Sequence, residues 1–118
     1  MIVAEGVGGG GAVPVDEEEI VVVGALRLDL LLGDVHSLKQ KRSVVRPIVA
    51  ELRRTYAVSA AETAYQELHR RAEVGVSCVS GDRGHCVDVL DACERLVAGR
   101  PEIELLTTWR QLWSEEDE

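Results

Sequence analysis

The sequence predicts an α+β sandwich in which a four-stranded antiparallel sheet carries two helices on one face, in the order β-α-β-β-α-β. Three observations predict it. Segments 20–32 and 71–80 have the composition or the alternation of strands. Each is followed by a stretch whose apolar residues recur at helical spacing. Each helical stretch is followed by a shorter strand-like segment, so the chain divides into two βαβ halves of similar size, 20–62 and 71–110.

Residues 20–32 (IVVVGALRLDLLL) are mostly β-branched or Leu. Val22, Gly24, Leu26, Leu28 and Leu30 fall on one face and Val23, Ala25, Arg27 and Asp29 on the other, as expected of a sheet covered on one side. Gly33 and Asp34 break the strand, and Ser37 caps a helix running to about residue 54, with Leu38, Val45, Ile48, Val49 and Leu52 as its buried stripe. Pro47 lies inside that stripe, which predicts either a kink or a helix that begins only near Pro47. A short second strand is expected over 56–62 and a polar stretch over 63–70. Residues 71–80 (RAEVGVSCVS) alternate, with Val74, Val76 and Cys78 on one face. Asp82 caps a second helix over 83–98, whose stripe is Cys86, Val89, Leu90, Cys93, Leu96 and Val97. Gly99 and Pro101 stop it, and 103–110 (IELLTTWR) form the last strand. Two right-handed βαβ halves close most simply as a ferredoxin-like sandwich with the first and third strands central.

The formal net charge of −8 is unevenly spread. Residues 1–19, glycine-rich and acidic, carry five acids and no Lys or Arg, and 114–118 carry four more acids and no base. Residues 1–19 are expected to be a disordered tail, and 114–118 an acidic C-terminal tail. The domain between them, 20–113, has 12 acids against 13 bases, so the acidic total does not argue against nucleic acid. No apolar run reaches the ~18 residues of a membrane span. Three cysteines are too few, and odd in number, for a disulfide scaffold. The N-terminal stretch lacks a basic region and is interrupted by Gly8, Gly9, Gly10 and Gly11, unlike a signal peptide. The expectation is a cytoplasmic protein.

Three segments taken together resemble a family. They are residues 24–32 with SLKQKR (37–42), VSAAETAYQELHRRAEVGV (58–76) and VSGDRGHCVDVLD (79–91). The SLKxKR element, the set Glu62, Gln66, Leu68, Arg71 and Ala72, and the set Val79, Ser80, Asp82 and His85 resemble the YlxP-like family of small bacterial proteins, over about 21–113. The resemblance implies a ferredoxin-like fold and no established enzymatic activity. It also implies a genetic neighbourhood of transcription elongation, translation initiation and ribosome-binding factors, which points to ribosome maturation or translation. Chains of that family start about a residue before the first strand. Residues 1–19 are therefore either a genuine acidic tail or the product of a start assigned ahead of a Val codon at 21–23.

The first helix is the main functional candidate. Lys39, Arg42, Arg46 and Arg53 are spaced to share one face, with Lys41 and Arg54 flanking them and Glu51 the single acid of 37–54. With Arg70 and Arg71 they form a candidate phosphate-binding surface for ribosomal RNA or a ribosomal subunit, reading little sequence. The acidic tails would compete for it. The open sheet face has no aromatic on its central strands, which argues against base stacking there. Its small residues Ala25, Gly75, Ser77 and Val79 suit packing against a second subunit, the homodimeric alternative. Trp109 and Trp113 are expected to fill the core edge. Glu62, Gln66, Asp82 and His85 form a candidate polar cluster. Cys86 and Cys93 lie two turns apart, about 10.5 Å of rise, too far for a disulfide or a shared zinc, so no metal and no cofactor is expected. Acylphosphatases share the topology, but the loop after the first strand, GDVHSLKQKR, lacks their phosphate cradle, and no nucleophile or nucleotide motif occurs. A non-enzymatic accessory factor is expected.

Overall fold

A computed structural model describes residues 19–115. The elements are β1 (Val22–Leu32), α1 (Leu38–Thr55), β2 (Ser59–Ala64), β3 (Arg71–Ser80), α2 (Arg83–Ala98) and β4 (Ile103–Ser114). The sheet order is β2-β3-β1-β4 and every pairing is antiparallel, so the expected ferredoxin-like α+β architecture is the observed one. The long apolar strands β1 and β3 lie at the centre.

The core follows from the alternation of β1. Val22, Leu26, Leu28, Leu30 and Leu32 are buried on one face together with Val74 and Val76 of β3. Ile48 and Leu52 of α1, and Cys86, Leu90, Cys93 and Val97 of α2, close over them. Gly24 continues that face without a side chain. A Cβ there would lie 2.6 Å from Cys86 Sγ and 2.8 Å from Leu90 Cδ1, so its absence lets α2 approach the sheet. No helix of the described residues is long and apolar enough to cross a membrane.

Three expectations change. The α1 helix begins at Leu38 and runs through Pro47, so the second of the two helix readings does not hold. The missing donor at Pro47 and the crowded Ser43 carbonyl are outweighed by burial of the stripe on either side. The second strand spans 59–64 rather than 56–62. The helix extends further than expected, and Tyr56 N–H still donates to Leu52 O at 3.0 Å, which occupies the residues that looked strand-like. The last strand runs on to Ser114, which is buried, and Glu115 Oε1 accepts a 2.9 Å bond from Val21 N–H. The start of the acidic C-terminal segment is thus tied to β1. Nearly all of the expected N-terminal tail, and residues 116–118, lie outside the described residues.

Candidate nucleic-acid interface

The N-terminus of α1 is fixed by two reciprocal bonds. Ser37 Oγ accepts from Gln40 N–H at 3.1 Å, and Gln40 Oε1 accepts from His36 N–H at 2.6 Å. With the buried stripe turned to the sheet, Lys39, Arg42, Arg46, Arg53 and Arg54 are exposed. Lys39 and Arg53 are separated by about 21 Å of helix rise. Among the described residues, Lys39, Arg42, Arg46 and Arg54 have no ion-pair partner. Elsewhere bases are mostly engaged: Arg27 with Glu73, Arg71 with Asp29, Arg100 with Glu51 and Glu102, Arg110 with Asp91 and Glu94. Between α1 and the edge strand β2 runs a groove of about 450 Å³, with Arg42, Arg46 and Arg53 above Val45, Val49 and Ala50.

Three of the expected phosphate contacts have other duties. Lys41 is only 2 % exposed. Its Nζ lies 2.8 Å from Glu62 Oε2 and donates to Tyr65 O at 2.6 Å, so it holds the β2–β3 connection against α1. Its position was readable: Lys41, Val45, Ile48 and Leu52 recur at i, i+4, i+7 and i+11, which places Lys41 on the buried stripe. Arg70 Nε donates to Leu32 O at 3.1 Å and Gly33 O at 2.9 Å and clips the end of β1. Arg71 forms a two-oxygen pair with Asp29 at 2.7 and 2.8 Å and stacks 4.6 Å from the ring of Tyr65, whose backbone is left-handed at φ 63°. Arg53 stays exposed while its Nε donates to Ala60 O at 2.9 Å, covering an edge carbonyl of β2.

The candidate polar cluster does not converge. Gln66 Nε2 donates to Glu62 O at 3.3 Å near the start of β3. Asp82 lies beyond the far end of β3, where it accepts from Gly84 N–H at 2.9 Å as the cap of α2. Glu62 sits opposite Val74, and the six residues from there to Ser80 put about 20 Å between the two pairs. His85 is an exposed residue of the first turn of α2.

The open sheet face holds a feature the sequence did not show. Trp109 stands opposite Arg27 on this face, 43 % exposed, with the Arg27 guanidinium 5.6 Å from its ring centre. It is not at the core edge. Arg27 is anchored by Glu73 at 3.0 Å, and Thr63 Oγ1 donates to the other oxygen of Glu73 at 2.7 Å. Burial alone would push the Glu73 carboxyl up, but the hydrogen bonds from Thr63 and Arg27 outweigh it and hold the group below the usual carboxylate range. Beside Trp109 lies a trough of about 730 Å³ whose floor includes Ala25, Ala61, Gly75 and Ser77.

The cysteines belong to the core. Cys78, which sequence spacing did not connect to the others, brings its Sγ to 2.8 Å from that of Cys86. All three are free thiols. Burial first, then the neighbouring Cys86, pushes the Cys78 thiol up to about 12, and burial raises Cys93 to about 11. Neither is a nucleophile at neutral pH.

Comparison with known proteins agrees in extent with this folded unit. Residues 23–110 match the family described as "Protein of unknown function (DUF503)". The chain is 29 % identical over 87 residues to the protein of Bacillus subtilis (strain 168) named "Uncharacterized protein YlxP", covering 74 % of this chain and 95 % of the relative. A de novo designed protein, Foldit4, aligns over 81 % of this chain and 94 % of its own at 15 % identity with a TM-score of 0.38. The match spans both helices, β2, β3 and most of β1 and β4, and on it the chain belongs to the DUF503 family of YlxP-like proteins.

Proposed function

We propose that this protein is a cytoplasmic, non-enzymatic RNA-binding accessory factor acting in ribosome maturation or translation, which docks on phosphates through the outer face of α1. One observation carries the reading. Among the described residues, Lys39, Arg42, Arg46 and Arg54 stand without ion-pair partners along one helix, while bases elsewhere are mostly paired. Like charges at i, i+3 and i+4 each cost a helix about 0.2–0.5 kcal/mol. A stripe that costs stability and, Arg53 apart, makes no hydrogen bond or ion pair among the described residues fits a polyanion, which would also release counterions on binding.

The test is cosedimentation with ribosomal subunits and their precursors from a lysate, at low and moderate salt. Comigration with one subunit that fades as salt rises is the expected result. The double variant Arg42→Glu, Arg46→Glu should lose it, with at least about a tenfold drop in affinity for isolated RNA and a shallower salt dependence. Both positions are exposed, so the melting temperature should hold. Undiminished binding by the double variant would remove α1 from the interface, and absence from every ribosomal fraction would remove the ribosome.

A further inference from the structure

We infer that the RNA taken up by this surface is single-stranded, and that it crosses from the α1 groove over the β2 edge onto the open sheet face, where Trp109 stacks one base. The inference rests on the α1 reading above and adds to it the class of RNA and a second contact.

The two depressions on this side of the molecule are continuous. Arg53 and Ala61 line both the groove beneath α1 and the trough on the sheet. Arg53 bridges them bodily, since its guanidinium reaches the carbonyl of Ala60 on the edge strand. A strand held by Arg42, Arg46 and Arg53 therefore has a path that leads across β2, β3 and β1 to Trp109 on β4. Three strand spacings make that crossing about 14 Å. It fits the lower end of the site sizes of single-strand binding surfaces, about four nucleotides.

The floor of this path is flat and uncharged. Ala25, Ala61 and Ser77 are small, and Gly75 leaves room for Thr63, whose Cγ2 would lie 2.7 Å from a Cβ there. The carboxylates beside the path are already engaged: Glu62 with Lys41, Glu73 with Arg27 and Thr63, and Asp29, which lines an adjoining hollow with Trp109, with Arg71. Each has its charge offset by a neighbouring base. At the far wall the Trp109 indole is pre-positioned by the anchored Arg27, so stacking would cost little ordering entropy. An aromatic face accepts any base, which suits a floor made mostly of alanine and glycine, with little beyond the Ser77 hydroxyl to read a base edge. A duplex keeps its bases stacked inside and could use the α1 stripe alone.

The experiment uses the full chain carrying Trp113→Phe, so that Trp109 is the only tryptophan. The probes are an oligouridylate and an RNA duplex of equal length. The oligouridylate should quench Trp109 emission saturably and the duplex should not. Trp109→Ala should weaken oligouridylate binding about tenfold, within the range known for base–aromatic stacking, leave the salt slope unchanged and spare duplex binding. Trp109→Phe should recover most of the loss, which a purely structural role for the indole would not predict. Oligouridylate binding that depends on Arg42 and Arg46 but neither quenches Trp109 nor responds to Trp109→Ala would overturn this inference and leave the α1 reading standing. No binding of either RNA would sink both. Concentration-dependent dimerisation by light scattering, with Trp109 becoming shielded in the absence of RNA, would assign the sheet face to a second copy of the chain instead.

Discussion

The two βαβ halves lay helices of similar length on the same side of the sheet, 18 residues in α1 and 16 in α2, and finish them differently. Each is capped by a side-chain oxygen, from Ser37 and from Asp82, and each turns one apolar stripe inward. Outward, α1 carries Lys39, Arg42, Arg46, Arg53 and Arg54 with Glu51 alone against them, whereas α2 carries Arg83 and Arg95 with Asp88, Asp91 and Glu94. Asp91 and Glu94 are engaged by Arg110 of β4 at 2.7 and 3.3 Å. Surface pairs of that kind add little stability, but they leave Asp91 and Glu94 with a partner. The fold needs the inner stripes of both helices and, among the described residues, uses the bases of the outer stripe of α1 only where Arg53 donates to Ala60 O. That asymmetry separates what packing requires from what binding could use.

The helices are also anchored differently, and the largest expected effect concerns α1. Its single inward-facing base, Lys41, is buried with Glu62 and the Tyr65 carbonyl. Removing one member of a buried pair leaves the other uncompensated and typically costs about 3–5 kcal/mol. Glu62 keeps part of its surface in water, so Lys41→Ala should destabilise by about 3 kcal/mol, read by chemical denaturation. RNA affinity should stay within about twofold, because Lys41 is not on the phosphate-facing stripe. A loss of affinity like that of the Arg42 and Arg46 double variant, at constant stability, would break the comparison by returning Lys41 to the binding face.

On α2 the corresponding device is steric. Gly24 lets Cys86 and Leu90 reach β1, and a methyl at Gly24 would have to displace a sulfur 2.6 Å away. Leu90 can swing aside, but Cys86 is confined by Cys78 behind it. Gly24→Ala should therefore cost about 2 kcal/mol through overpacking, with no change in RNA affinity. A cost near zero would show that α2 sits on the sheet more loosely than α1 does.

Most of the fold was legible because its signals are local and repeat. The alternation of β1 and β3, the caps at Ser37 and Asp82 and the stop at Gly99 and Pro101 each act within a few residues. What could not be read depends on register or on long-range contact. The pairing of β4 with β1 slips by one residue between Leu105 and Thr107. Counting alternate residues from Ile103 would put Trp109 in the core. The bulge flips the parity, and Trp109 emerges on the open face beside Arg27. The approach of Cys78 to Cys86 is likewise a strand-to-helix contact that no spacing along either element encodes. The basic stripe of α1 was visible from its period. That Lys41 leaves it was visible in the same period, because its i+4, i+7 and i+11 partners are apolar.

The smallest effect isolates the backbone of α1 from its charges. Pro47 occupies an exposed position of the helix, between Arg46 of the outer stripe and Ile48 of the inner one. It gives up one backbone bond and crowds the Ser43 carbonyl, which costs a helix interior about 3 kcal/mol relative to Ala. Part of that is returned in the unfolded chain, which proline restricts by about 0.4–1 kcal/mol. The helix runs unbroken through Pro47, so the site tolerates much of the remainder, and Pro47→Ala should stabilise by about 1 kcal/mol, seen as a raised denaturation midpoint at constant slope. α2 has no such proline. If Pro47 shapes the helix so that the arginine stripe follows its ligand, the same substitution will weaken RNA binding while it strengthens the fold. A variant that gains stability and keeps its affinity shows instead that the spacing of Arg42, Arg46 and Arg53 along the helix is sufficient, and that Pro47 is only a tolerated flaw.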